Sequence, residues 1–191
     1  MAGSHPEPAF SNWFIVRKEK TMDFLQLSHD RYSVRKFKDT PVEQEKIDKI
    51  IEAAMTAPTA CNWQPFKVWV IQSPEAVAKV YETTPYTFGT KLFFVIGGDP
   101  KTAWTRKYDQ KGFADVDATI VATQMMLEIH DLGLGTTWVG SFDEPKLKAA
   151  FPEMQGYELI AIFPTGYPAD DAEPSKLHAV SKAKEELVAV L

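Results

Sequence analysis

The sequence predicts a layered domain of mixed helix and strand, of class α/β or α+β, and three observations point there. Segments with apolar residues at helical spacing alternate with short β-branched and aromatic runs. Glycine and proline clusters mark the joins. One segment, Ala114 to Leu132, is long and apolar on more than one side, as a helix central to a core or an interface is.

Asp23 to His29 reads as a first short helix, followed by a basic stretch, Arg31 to Lys38, and a turn at Asp39-Thr40-Pro41. The second helix carries Ile47, Ile50, Ile51 and Ala54 at helical spacing. Pro41 stands near its start, Glu43 and Glu45 suit its electropositive end, and Pro58 requires it to stop. Pro58 to Pro65 is a loop, and Phe66 to Ile71 a strand. Pro74 to Tyr81 is a short helix, and Leu92 to Ile96 a buried strand stopped by Gly97-Gly98-Asp99-Pro100. After the long helix, Gly133 and Gly135 serve as the stop. Thr136 to Val139 reads as a strand, Pro145 to Phe151 as a helix and Leu159 to Phe163 as a strand. Pro164 to Pro174 reads as a loop and Ser181 to Leu191 as a terminal helix.

Composition narrows the function. The chain has 191 residues, 45% of them hydrophobic, enough for a packed core. Its formal net charge of -5 argues against general nucleic-acid binding, which needs a basic face. Cys61 is the single cysteine, so no intrachain disulfide forms, and a reducing cytoplasm is the expected location. His5, His29, His130 and His178 have no metal-ligand spacing, and no metal site is expected. The apolar runs are too short to cross a bilayer. Residues 1–21 are expected to be an N-terminal extension of uncertain role without signal-peptide features, and residues 22–191 the domain.

Four segments carry chemistry. In Arg31-Tyr32-Ser33-Val34-Arg35, alternate residues of an extended stretch point one way, so Arg31, Ser33 and Arg35 can form an anion-binding face. A solvated basic loop is the plain alternative. In Pro58 to Gln64, the amides of Asn62 and Gln64 and the hydroxyl of Thr59 match a ligand edge that mixes donors and acceptors. A polar turn before a strand explains them equally simply. Cys61 has no histidine or aspartate close by in sequence and is not read as a nucleophile. In Leu132 to Phe142 the glycines follow a helix, so they are no dinucleotide fingerprint, and Gly140 marks a close backbone approach to a ligand. In Pro174 to His178, Lys176 and His178 can share a face and add positive charge, or simply meet solvent.

In this order the segments resemble the nitroreductase family of FMN-dependent oxidoreductases, especially its short bacterial members. The resemblance runs from Phe24 to His178 and is carried by Arg31 to Phe37, Ala57 to Phe66, Asp131 to Phe142, and Gly166-Tyr167-Pro168 with Lys176 downstream. It implies a mixed central sheet flanked by helices, in an interlocked homodimer with FMN at the interface. It assigns Arg31, Ser33 and Arg35 to the phosphate and ribityl chain, with Tyr32 close by. Pro58, Thr59, Ala60, Asn62 and Gln64 would reach the isoalloxazine ring from the opposite subunit. Val139, Gly140 and Ser141 would lie beside flavin N5, and Lys176 and His178 would be basic phosphate ligands. The family often has arginine at the His178 position, so phosphate binding is expected to be weaker or more pH-dependent here. A lysine near flavin N1 has no anchored counterpart.

The implied activity is ping-pong transfer from NADH or NADPH through tightly bound FMN to a nitroaromatic, quinone or enone, with no catalytic side chain required. Tyr86, Phe88 and Trp104 are candidate walls of the acceptor pocket. Two alternatives stand beside it: a specialised flavin dehydrogenase or dehalogenase of the same superfamily, and a non-catalytic flavin-binding protein.

Overall fold

The structure is a computed structural model that describes residues 23–191. The expected extension, 1–21, lies outside the described residues. Six helices and four strands follow in the order α1 (Phe24–Asp30), α2 (Gln44–Thr56), β1 (Phe66–Ile71), α3 (Pro74–Tyr81), β2 (Leu92–Gly98), α4 (Ala114–Asp131), β3 (Gly135–Thr136), α5 (Glu144–Ala150), β4 (Glu158–Gly166) and α6 (Lys184–Leu187). Short 3-10 turns lie at Ala60–Asn62 and Pro152–Met154.

The sheet order is β1-β2-β4-β3. Its ladders are antiparallel, with Val68 opposite Ile96, Phe94 opposite Phe163 and Gly135 opposite Gly166. A parallel bridge between Ser33 and Thr136 adds the basic segment beside β3 and makes the sheet mixed.

β2 is buried along its whole length, as a central strand covered on both faces is. Its alternation divides the core. Leu92, Phe94 and Ile96 face one layer with Ile47, Ile50 and Ala54 of α2 and Val121, Met125 and Ile129 of α4. Phe93 and Val95 face the other, with Val77 and Val80 of α3 and Leu147 of α5. Each fully buried large side chain contributes roughly 1.5–3 kcal/mol. A Cβ on Gly98 would stand 2.2 Å from the Ala114 carbonyl oxygen, so the bare backbone at the end of β2 lets α4 begin against the sheet.

Four elements depart from the sequence expectation. β2 runs on through Gly97 and Gly98, which were expected to stop it. β3 is only two residues long, because the chain leaves the ladder after Thr136 and returns at a single bridge between Val139 and Ile162. β4 continues through Pro164 to Gly166, where a loop was expected. Pro164 has no N–H to give, and it lies between the Val139 bridge and the β3 pair, where the ladder on that side is interrupted. The terminal helix shrinks to Lys184–Leu187, with Val188, Val190 and Leu191 exposed. A helix of that length has little stability without a surface to pack on.

Candidate cofactor-binding site

The site forms where the basic segment meets β3. Val34 is buried and donates its N–H to the Thr136 carbonyl at 2.9 Å, fixing its neighbours Ser33 and Arg35 beside the sheet edge. Arg35 Nη1 donates to the Ser33 carbonyl at 3.2 Å, so the guanidinium folds back over the segment. Gly135 makes this approach possible: a Cβ there would lie 2.5 Å from a Val34 methyl.

Arg35 belongs to two clefts at once. One, of about 190 Å³, is lined by Ser33, Arg35, Lys36, Asp171, Ala172, Glu173 and Ser175. The other, of about 240 Å³, is lined by Arg35, Tyr86, Phe88 and the run Thr137 to Ser141. Within the first, Lys36 is committed to Asp171 at 2.6 Å. That hydrogen bond raises the Lys36 pKa and lowers that of Asp171. Arg35 is therefore the cation of this cleft left to meet an incoming anion.

The second cleft has a partly aromatic wall. Tyr86 and Phe88 sit 6.3 Å apart on the loop before β2. Thr84 donates its hydroxyl to the Ser141 carbonyl at 2.7 Å, and Asp143 N–H reaches the Thr83 carbonyl at 2.8 Å. These bonds clamp the aromatic loop to the segment that carries Val139, Gly140 and Ser141. A Cβ on Gly140 would find only the Trp138 indole nitrogen, 4.0 Å away, so the backbone there is open to a ligand. Trp104 is not part of this wall; it packs edge-on against Phe113 at 4.9 Å.

The remaining expected residues divide into two groups. Tyr32 donates its hydroxyl to the Ala172 carbonyl at 3.2 Å, behind the first cleft. His178 stacks edge-on against Tyr32 at 6.3 Å, and its Nε2 lies 3.0 Å from the His29 carbonyl. Lys176 and His178 belong to the turn opened by Ser175, which lines the first cleft. Arg31 is half-buried near His130 and helps to lower that histidine's pKa, after the larger effect of burial.

Pro58, Thr59, Ala60, Asn62 and Gln64 are elsewhere: they line neither cleft of the single chain. Their turn is held under strain. Cys61, Asn62 and Gln64 have φ of 53°, 54° and 52°, the left-handed region that side chains other than asparagine and glycine resist. Cys61 is exposed. The turn is tied to α4 by a hydrogen bond from Ala60 N–H to Asp117 Oδ1 at 3.0 Å. Asp117 is a residue that the sequence reading did not select. Its signal was present: it falls at helical spacing with Ala114 and Val121, on the buried face of α4.

Among the described residues, no group of side chains could hold a metal ion, and no helix is long and apolar enough to cross a membrane. Lys91 pairs with Asp39 at 2.5 Å and lines a separate cavity.

Comparison with known proteins identifies the family and the fold. The model of the nitroreductase family matches residues 29–89 and 85–167, which together span well over half of the chain. The chain belongs to the nitroreductase family. A relative from Methanothermobacter thermautotrophicus, provisionally named NADH dehydrogenase/NAD(P)H nitroreductase, is 30% identical over 179 residues, covering 86% of this chain and 90% of the relative. The crystal structure of a nitroreductase family protein from Clostridium difficile 630 superposes with a TM-score of 0.82 at 33% identity, covering 88% of this chain and 98% of that one. A structure from Exiguobacterium sibiricum solved in complex with FMN shares the fold, with a TM-score of 0.76 at 19% identity over 91% of this chain and 99% of that one. The nitroreductase fold thus accounts for the mixed sheet, the helices on both faces and the edge cleft.

The residues present fit a flavin mononucleotide. Arg35 and Ser33 offer a fork of donors and a hydroxyl for a phosphate and its sugar-like chain. The open backbone at Gly140 and the aromatic wall suit a flat ring.

Proposed function

We propose that the protein is an FMN-dependent oxidoreductase that passes reducing equivalents from NAD(P)H to a small acceptor, a nitroaromatic, quinone or enone, by a ping-pong mechanism. The observation that carries this reading is the meeting of two clefts at Arg35, one polar and charged, the other partly aromatic with open backbone at Gly140. The names of the nitroreductase relatives and the FMN-bound fold neighbour support it.

In this reading Arg31, Ser33, Arg35, Lys176 and His178 hold the phosphate and ribityl chain, with Tyr32 buttressing them. Val139, Gly140 and Ser141 present backbone to the ring. When bound, FMN supplies two-electron chemistry between a nicotinamide and an acceptor. The chain's part is to orient the ring, keep one face open to both substrates in turn, and aim positive charge and N–H dipoles at developing negative charge. In this reading no side chain is assigned as acid or base, and solvent provides protons.

The functional unit is a homodimer with FMN at its interface. Pro58, Thr59, Ala60, Asn62 and Gln64 stand apart from the clefts of their own chain, so they serve the ring of the partner's site. Exposed apolar side chains flank the same seam: Met55 on α2 at 61%, Trp63 after the turn at 56% and Ile120 on α4 at 37%. The cytoplasm is the proposed location.

The test is direct. The protein as purified should carry about one FMN per chain, bleached by NADH or NADPH and recoloured by a quinone. Arg35→Ala should weaken FMN binding about ten- to a hundredfold, the loss of a charge-assisted contact of about 1.5–3 kcal/mol. A protein without flavin, or one whose FMN affinity ignores Arg35→Ala, refutes the site. Bound FMN that no nicotinamide reduces leaves a binder and refutes the enzyme.

A further inference from the structure

We infer that Asp117 is a positioning residue for the flavin ring, acting through the turn at Ala60–Asn62; the inference rests on the proposed FMN site. Asp117 is 1% exposed, on the first turn of α4. One carboxylate oxygen accepts the Ala60 N–H at 3.0 Å. The other, Oδ2, is buried with no hydrogen-bond partner among the described residues.

A half-satisfied carboxylate is a costly way to fill a core position, where a threonine or alanine would pack at less cost. What it supplies is a strong acceptor under one particular amide. The other hydrogen bonds described for residues 59–64 stay within 59–66: Asn62 N–H to Thr59 carbonyl, Trp63 N–H to Ala60 carbonyl, Gln64 N–H to Thr59 Oγ1, Gln64 Nε2 to Asn62 Oδ1, and Phe66 N–H to Gln64 carbonyl. They set the shape of the turn, and its downstream end is placed by Asp99 N–H to the Pro65 carbonyl at 2.8 Å and by the start of β1 at Phe66. The Ala60–Asp117 bond anchors its upstream end to the body of the protein. It acts one residue before the left-handed pair Cys61 and Asn62. Asn62 and Gln64, the two amides proposed to read the ring, hydrogen-bond to each other at 3.3 Å. Asp117 thereby helps to fix where both amides stand without touching the ring itself.

Oδ2 also makes the test clean. It receives no hydrogen bond, so Asp117→Asn keeps an oxygen for Ala60 and breaks none of the described bonds. Asp117→Ala removes the anchor. Three measurements on the intact protein separate the outcomes: amide hydrogen exchange over residues 60–64 after FMN is stripped, FMN affinity by fluorescence titration, and the midpoint potential of bound FMN. Asp117→Ala should speed exchange at Ala60 at least tenfold, weaken FMN at least tenfold and move the midpoint potential. Asp117→Asn should restore all three toward wild type. The inference is overturned if Asp117→Ala binds FMN at wild-type affinity and potential, or if Asn fails as Ala does with an equal fall in melting temperature. The latter pattern marks a packing role alone. Wild-type protein that takes up no FMN sinks the underlying site and this inference with it, whereas normal wild-type binding that Asp117→Ala leaves untouched sinks the role of Asp117 only.

Discussion

Gly135→Ala tests the link between fold and site. The added Cβ would lie 2.5 and 3.0 Å from the two methyls of Val34 and 2.7 Å from its Cβ. Carbon atoms rest at about 3.5–4.0 Å, so the closest contact is short by roughly 1 Å or more. Val34 is fully buried and cannot swing into solvent. The strain must move the basic segment away from β3, at an overpacking cost of about 1–3 kcal/mol. For a chain of this size that lowers the melting temperature by roughly 2–4 °C per kcal/mol. The same movement carries Ser33 and Arg35 out of place, because both adjoin Val34. Loss of the Arg35 contact weakens FMN by about ten- to a hundredfold. Differential scanning fluorimetry and flavin fluorescence titration read the two effects. Gly133→Ala is the control. Its φ is +73° with no atom within 4 Å of the new Cβ, so it strains the helix stop without reaching Val34. It should cost about 1 kcal/mol and leave FMN affinity alone. If Gly135→Ala loses stability at unchanged FMN affinity, Val34 does not transmit packing to the site and the reasoning fails.

Three further outcomes are expected. Gly98→Ala drives a Cβ to 2.2 Å from the Ala114 carbonyl oxygen, which no rotamer can relieve, so it should destabilise by about 3 kcal/mol or more, or prevent folding, by chemical denaturation. Burial lowers the His130 pKa below 6.5, with the charge of Asp30 opposing the shift and that of Arg31 adding to it. The folded chain then resists a proton that the unfolded chain accepts, so the stability tied to His130 is complete above about pH 6.5 and falls as pH drops through the folded value. His130→Gln should flatten that slope, and Arg31→Ala should raise the His130 pKa in an NMR titration; a flat wild-type slope or an unmoved pKa refutes it. Light scattering should give a dimer, and Ile120→Lys should shift it toward monomer with loss of FMN; a monomer that retains FMN refutes the interface site.

The elements legible in sequence are those whose ends are locally encoded. α3 runs from Pro74 to Tyr81 as expected, because Ser73 caps it with a 3.2 Å bond to Ala76 N–H and Pro74 suits the first turn. α4 ends within a residue of expectation at Gly133, whose φ of +73° is the stop. The strands at the sheet edge were less legible. How far β4 runs depends on β2 and β3, which lie far away in sequence, and the tail after Ser181 packs on no surface among the described residues that would make it helical. Gly135 was legible as a glycine but not for its reason. It was read as part of a helix stop, and it serves the close approach of Val34.

The site was legible as chemistry before it was legible as geometry. The residue types in Arg31 to Arg35 suggested an anion-binding face and Gly140 a close backbone approach to a ligand, while the ring came from the family resemblance; the fold joins the two segments at Arg35, which lines both clefts. The turn from Pro58 to Gln64 was legible only in composition, since nothing in its letters announces left-handed backbone at Cys61 and Gln64. That backbone costs about 1–2 kcal/mol at each non-glycine residue, less at Asn62. A hydrogen bond to the Asp117 carboxylate offsets about 1.5–3 kcal/mol of it. The two are close enough that the turn is held but not secured by its own chain. Strain of this kind persists where something else also needs the shape. A partner subunit and a flat ring pressed against Asn62 and Gln64 would supply that need, and the turn should therefore stiffen when both are present.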